Sequence, residues 1–298
     1  MGRWLDVGAW ANLLDSGTDA FRLMSGTGGQ RVERFGESVL VSVGRDDELP
    51  DLLRDLDDYG VKVQWVPGAI YGRHLVRSPG RSDVPFVIRG TPAAEPVAHE
   101  DGLAFTLDFG SGYSPGLFPD QRENRRELRR LRPLRLLNTF AYTGAFSVVA
   151  AAVGAETVSV DISKAALDRA RRNFELNGLE LHPHRFVVED VPTYLRRLER
   201  RGDRFDAIVL DPPTFGRGGG GKTFRIERDW QELVTLAAAA LQRPGVILLS
   251  CNFASWTASD LREQSAGALP RGTVFRASRR PEDFPPGTGA ESVWAVVS

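Results

Sequence analysis

Four polar segments have the residue types and spacing to do chemistry, because each follows a short apolar run and three of them open a helical pattern. Asn138-Thr139-Phe140-Ala141-Tyr142-Thr143-Gly144-Ala145-Phe146 is a small, glycine-containing turn. Such a turn lets backbone pass close to a ligand and offers the free N–H groups of a helix start. It is not a GxGxxG, so it offers no obvious pyrophosphate cradle. Asp161, 17 residues beyond Gly144, can accept hydrogen bonds from both hydroxyls of a ribose. Glu189-Asp190-Val191 is placed to meet an adenine edge and ring. Asp211-Pro212-Pro213-Thr214-Phe215 joins a carboxylate, a rigid exit and an aromatic ring. The fifth such position is Cys251, the single cysteine, in Leu248-Leu249-Ser250-Cys251-Asn252. A thiol there is either a nucleophile or a small packed residue.

These residues matter only if something holds them together. Strand-like runs at 134–137, 157–160, 185–188, 205–210 and 246–249 alternate with helical patterns at 145–153, 164–176, 191–200 and 226–241. Repeated β-then-α units predict a mostly parallel sheet with helices on both faces, and ligands in such sheets bind at the carboxyl ends of the strands. Every polar segment above falls at such an end. Two late strands, 273–277 and 293–297, would form a closing antiparallel hairpin. The first hundred residues read differently: strands at 38–43, 61–66, 70–76 and 103–109, with a short acidic helix at 50–59. This reading gives an α+β accessory domain over 1–112 and an α/β domain over 113–298.

The 298 residues carry 38 basic and 39 acidic groups, a net charge of −1, so global charge makes no case for nucleic acid. One cysteine excludes an internal disulfide framework, and no apolar run approaches a membrane span. A cytoplasmic location is expected. Between Gln121 and Arg135 stand seven arginines against two glutamates. That run is either a solvated helix face or a phosphate-contacting strip.

Taken together the segments resemble the class I S-adenosylmethionine-dependent methyltransferases. The stretch from Gly116 through Phe118, Asp120, Gln121 and Arg122 to Arg125, the Asn138–Gly144 turn, Asp161-Ile162-Ser163 and the Asp211–Phe215 run narrow the likeness. It is to the large-subunit ribosomal RNA methyltransferases that include cytosine-C5 enzymes. The resemblance implies a Rossmann-like sheet and S-adenosylmethionine as cofactor. It would be held by Phe118, Gln121, Asn138, Phe140, Tyr142, Thr143, Gly144, Asp161, Ile162, Asp190, Val191 and Asp211. It implies RNA as partner, with Arg122, Pro212, Pro213 and Phe215 at the substrate, and no metal or membrane. Family members usually begin with a small RNA-binding domain, for which there is no room before the accessory domain; RNA contact would then fall to the arginine run.

The resemblance also places Cys251 where cytosine-C5 members carry their nucleophile. Cytosine C5 is a poor nucleophile until a thiolate adds to C6 and makes an enamine. Asp211 could hydrogen-bond the ring as charge develops. The base that removes the C5 proton is not identified by the sequence. The alternative reading is methylation of a nitrogen of guanine or of a small metabolite, in which Asp211 and a backbone carbonyl accept from an amine while an aromatic stacks on the base. A third is cofactor binding without catalysis. Residues 216–223 fit GxxxxGK[ST], but they follow the fourth strand rather than the first, so a loop closing over substrate, with Lys222 or Arg217 near phosphate, is the better reading. His182-Pro183-His184 has no companion ligand set and reads as a surface loop.

Overall fold

The computed structural model describes residues 2–75, 84–110, 114–217 and 223–298, with backbone alone at 215–217 and 223. The chain forms two compact units, one of residues 1–122 and 281–288, the other of residues 123–280 and 289–298. Among the described residues no helix is long and apolar enough to cross a membrane.

The first unit is built on a six-stranded sheet in sequential order: β1 (Arg3–Trp4), β2 (Ala20–Ser25), β3 (Arg31–Phe35), β4 (Ser38–Val43), β5 (Ala69–His74) and β6 (Phe86–Gly90). Only β4 and β5 pair in parallel, joined by a helical crossover. Helices α1 (Val7–Asp15) and α2 (Leu49–Val63) supply Trp10, Leu52, Leu56 and Tyr59 to a core completed by Phe21, Leu23, Val39, Val41 and Ile70. A hairpin of β7 (Val97–Glu100) and β8 (Leu103–Thr106) follows. Arg22, Glu33, Ser42 and Arg73 are all buried. Arg22 and Arg31 reach the Glu33 carboxylate at 3.0 and 3.2 Å. Burial pushes that carboxyl up, but Arg22, Arg31 and Arg73 outweigh it and hold it below the usual carboxylate range. Residues 281–288 join this unit through Asp283, which accepts from the Arg22 backbone N–H at 2.8 Å and pairs with Arg122.

The second unit carries α3 (Arg122–Leu131), β9 (Arg135–Thr139), α4 (Ala145–Ala151), β10 (Glu156–Asp161), α5 (Lys164–Leu176), β11 (Arg185–Val188), α6 (Val191–Arg201) and β12 (Phe205–Leu210). After a short hairpin of β13 (Phe215–Arg217) and β14 (Thr223–Arg225) come α7 (Ile226–Ala239), β15 (Leu241–Cys251), α8 (Ala258–Ala266), β16 (Val274–Ala277) and β17 (Glu291–Val297). The sheet order is β11-β10-β9-β12-β15-β17-β16. The first five strands are parallel, and β17 and β16 close the edge antiparallel. This is the Rossmann-like, mostly parallel sheet with a closing antiparallel edge expected from the sequence. Ile208 and Leu210 of β12 face one core while Ala207 and Val209 face another, as a sheet covered on both sides requires.

Two expectations are corrected. Residues 61–66 are not a strand: α2 continues to Val63 and stops where Gln64 turns left-handed at φ 53°. Val61 and Val63 mimic strand alternation, but the buried set Leu52, Leu56, Tyr59 and Gly60 repeats at helical spacing, and Val61 is 79% exposed. The arginine run is not one solvated strip. Arg122 and Arg125 are each 2% exposed, whereas Arg126 and Arg130 pair with Glu123 and Glu127 one turn earlier.

Candidate functional site

Strand order reverses between β9 and β12, and that is where a parallel sheet opens a crevice. The register aligns Val160, Thr139, Leu210 and Leu249 across four strands. One residue further, Asp161, Phe140, Asp211 and Ser250 therefore stand in a row at the carboxyl edge. Cys251 is the next residue of β15.

The turn after β9 is held in an unusual shape. Phe140, Tyr142 and Gly144 all have positive φ, at 52°, 48° and 76°. For the two aromatic residues this costs roughly 1–2 kcal/mol each, so neighbours must impose it. Ala141 N–H donates to the Val160 carbonyl at 3.0 Å. Tyr142 N–H donates to Asp161 Oδ2 at 2.8 Å, and Ser163 N–H donates to Asp161 Oδ1 at 2.8 Å. Asp161 is thus both the wall of the turn and its anchor, with its carboxylate orientation fixed before any ligand arrives. Gly144 is required twice: by its φ, and because a Cβ there would lie 2.8 Å from Ala170 Cβ. It begins α4 with no side-chain cap. A fixed carboxylate, backbone amides and the 53% exposed Ile162 suit a nucleoside with a zwitterionic tail better than a pyrophosphate.

Asp211 is half-buried, Pro212 buried and Pro213 exposed at the end of β12. Thr214 Oγ1 donates to the Asn252 carbonyl at 2.9 Å, tying this exit to the end of β15. Cys251 is fully buried. Burial pushes its thiol from 9.0 to about 11 against the opposing hydrogen bond of the Phe253 backbone, with lesser upward pushes from Asp211 and Glu291. Glu291 is the antiparallel partner of Cys251, so the two side chains share a face of the sheet. It is ion-paired with Arg280 at 2.6 Å. Sequence reasoning missed it because the last strand was read from 293, leaving Glu291 outside any element.

The remaining expected site residues divide. Thr143 is buried within the turn, and Asn138 is buried with its amide on Ser147 Oγ at 3.0 Å, so Asn138 supports the turn from beneath. Asp190 caps α6, accepting from Thr193 N–H and Oγ1, and Val191 lies in the core at 3% exposure. Phe118, 41% exposed, and Gln121 and Arg122, both buried, belong to the first unit. The loop reading at 216–223 and the stacking role of Phe215 rest on residues or side chains outside those described.

A family model described as S-adenosylmethionine-dependent methyltransferase matches residues 35–297. A ribosomal RNA large subunit methyltransferase I from Aeromonas salmonicida is 35% identical over 218 residues, covering 71% of this chain and 53% of that protein. The chain spans between 53% and 64% of the length of the first curated relatives it matches. A methyltransferase solved in complex with SAH superposes with a TM-score of 0.81 at 24% identity, over 99% of this chain and 83% of that one. A SAM-dependent methyltransferase from Streptococcus mutans gives 0.81 at 25% identity, over 98% of this chain and 79% of that one. The cofactor implied by the family, S-adenosylmethionine, is the one the turn and Asp161 suit. The chain belongs to the S-adenosylmethionine-dependent methyltransferases.

Proposed function

We propose that this protein methylates RNA, with large-subunit ribosomal RNA as the target class and cytosine C5 as the acceptor atom. The observation that carries the reading is the row of strand ends, in which the left-handed turn, Asp161, Asp211 and Cys251 adjoin across a topological switch. The name shared by the curated relatives supports the ribosomal target. S-adenosylmethionine supplies an electrophilic methyl group. The turn and Asp161 hold its ribose and methionine ends, Ile162 and Asp190 flank the adenine, and Pro212, Pro213 and Phe215 seat the base. The first unit, which contains the segment 1–112, serves substrate recognition.

In this reading Cys251 Sγ, as thiolate, bonds to C6 and raises electron density at C5. S-adenosylmethionine, held by the turn and Asp161, would supply the methyl that C5 takes, its sulfur keeping the bonding pair. A base removes the C5 proton, and the returning pair expels the thiolate. Glu291 is the base this geometry favours, because it stands opposite Cys251 on the same face of the sheet. Asp211 hydrogen-bonds the ring. The thiol's burial and its rise to about 11 favour one rival: Cys251 as a packing residue, with Asp211-Pro212-Pro213 accepting an amine for nitrogen methylation. Substitution C251S separates them. Loss of methyl transfer to RNA supports the covalent route; transfer unchanged supports the rival.

A further inference from the structure

The left-handed turn has a second support that neither the sequence pattern nor the mechanism uses. Asn173, on α5, is fully buried, and its Nδ2 donates to the Thr143 carbonyl at 2.9 Å. Thr143 sits between Tyr142 and Gly144, both at positive φ, so its carbonyl is the lever that orients the peptide entering α4. The backbone that carries Asn173 is tied as well, its carbonyl accepting from Asn177 Nδ2 at 2.7 Å. One turn earlier, Ala170 is the residue against which only glycine fits at position 144. A single face of α5 therefore fixes the second half of the turn, as Asp161 fixes the first half.

We propose that Asn173 is a positioning residue for the cofactor: its amide donation to Thr143 holds the turn in the shape that receives S-adenosylmethionine. The inference rests on the reading that this turn binds the cofactor. The chemistry is specific to a donor of this length. Aspartate has the same shape but would set a carboxylate against the carbonyl, and alanine leaves a buried carbonyl without this donor. Losing it frees the peptide to relax toward ordinary φ, and the cofactor must then select the bound shape from a mixture, which weakens apparent affinity by the fraction competent.

The test is titration calorimetry with S-adenosylhomocysteine on the full chain, run for the native protein, N173A, N173D, D161A and L167A. Leu167 is fully buried on the same helix and has no assigned role at the cofactor, so L167A controls for destabilisation. Melting temperatures are recorded for each, and binding is measured well below them. The expected result is a dissociation constant about tenfold higher for N173A, and higher still for N173D, with L167A within about twofold of native at a comparable or larger loss of melting temperature. Native affinity in N173A beside strongly weakened D161A would overturn the role of Asn173 while leaving the cofactor reading standing. Native affinity in both N173A and D161A would overturn both. Equal weakening in N173A and L167A would reduce Asn173 to a stability residue and overturn the proposal.

Discussion

Raising pH should destabilise this protein through Cys251, and the size of the effect follows from its surroundings. The buried thiol is pushed from 9.0 to about 11, by burial first and then by Asp211 and Glu291. A group whose folded value lies above its unfolded value favours the folded state while both are protonated. That contribution is complete below pH 9 and is lost as pH rises toward 11, because the unfolded chain releases its proton first. At about 1.36 kcal/mol per unit, two units are worth roughly 2.7 kcal/mol. The assay is urea unfolding at intervals from pH 7 to 11.5 for native protein and C251A. The difference in stability between the two should shrink by roughly 2–3 kcal/mol across the window, and subtraction removes the tyrosines that titrate nearby. Parallel curves would refute the reasoning. The same shift bears on mechanism: at pH 7 only about one thiol in ten thousand is ionised. Free protein should therefore react slowly with iodoacetamide. If Cys251 is the proposed nucleophile, substrate binding must bring a proton acceptor to the thiol or change its surroundings.

D161A removes two hydrogen bonds at 2.8 Å that fix the turn, as well as the proposed ribose acceptor, so calorimetry should show S-adenosylhomocysteine binding weakened about 10- to 100-fold. E291Q should leave methyl transfer intact but stall proton removal, so that a denaturation-resistant RNA adduct at Cys251 accumulates on gels; rapid turnover without adduct would remove Glu291 as the base. D283A strands the buried Arg122 without its carboxylate, and chemical denaturation should show a loss of about 3–5 kcal/mol in the first unit.

The α/β half was legible because its signals are local. Ser163, an N-cap accepting from Ala166 N–H, starts α5 where the apolar period begins, and the all-apolar face of β12 marks a sheet covered on both sides. Asp161 and Asp211 could be found from their position after such strands. The first unit was less legible for the opposite reason. Its strands β2 and β3 carry Arg22, Glu33 and Arg34 at buried positions, which erases the alternation that announces a strand. Glu33 is met by Arg22, Arg31 and Arg73, Arg34 by Glu37 and the Gly36 carbonyl, and the Arg22 backbone N–H by Asp283, 261 residues away. The arginine run misled in the same way, since the partner of Arg122 lies 161 residues along the chain. The sequence leaves Cys251 open, because its cross-strand neighbour Glu291 is brought near only by the register of β15 and β17.

The central claim is tested most directly by incubating the protein with methyl-labelled S-adenosylmethionine and large-subunit ribosomal RNA from cells lacking its gene, then identifying the labelled nucleoside by mass spectrometry. The account predicts labelled 5-methylcytidine, abolished in C251S. A labelled methylguanosine that persists in C251S would contradict it and return Cys251 to the packing of β15.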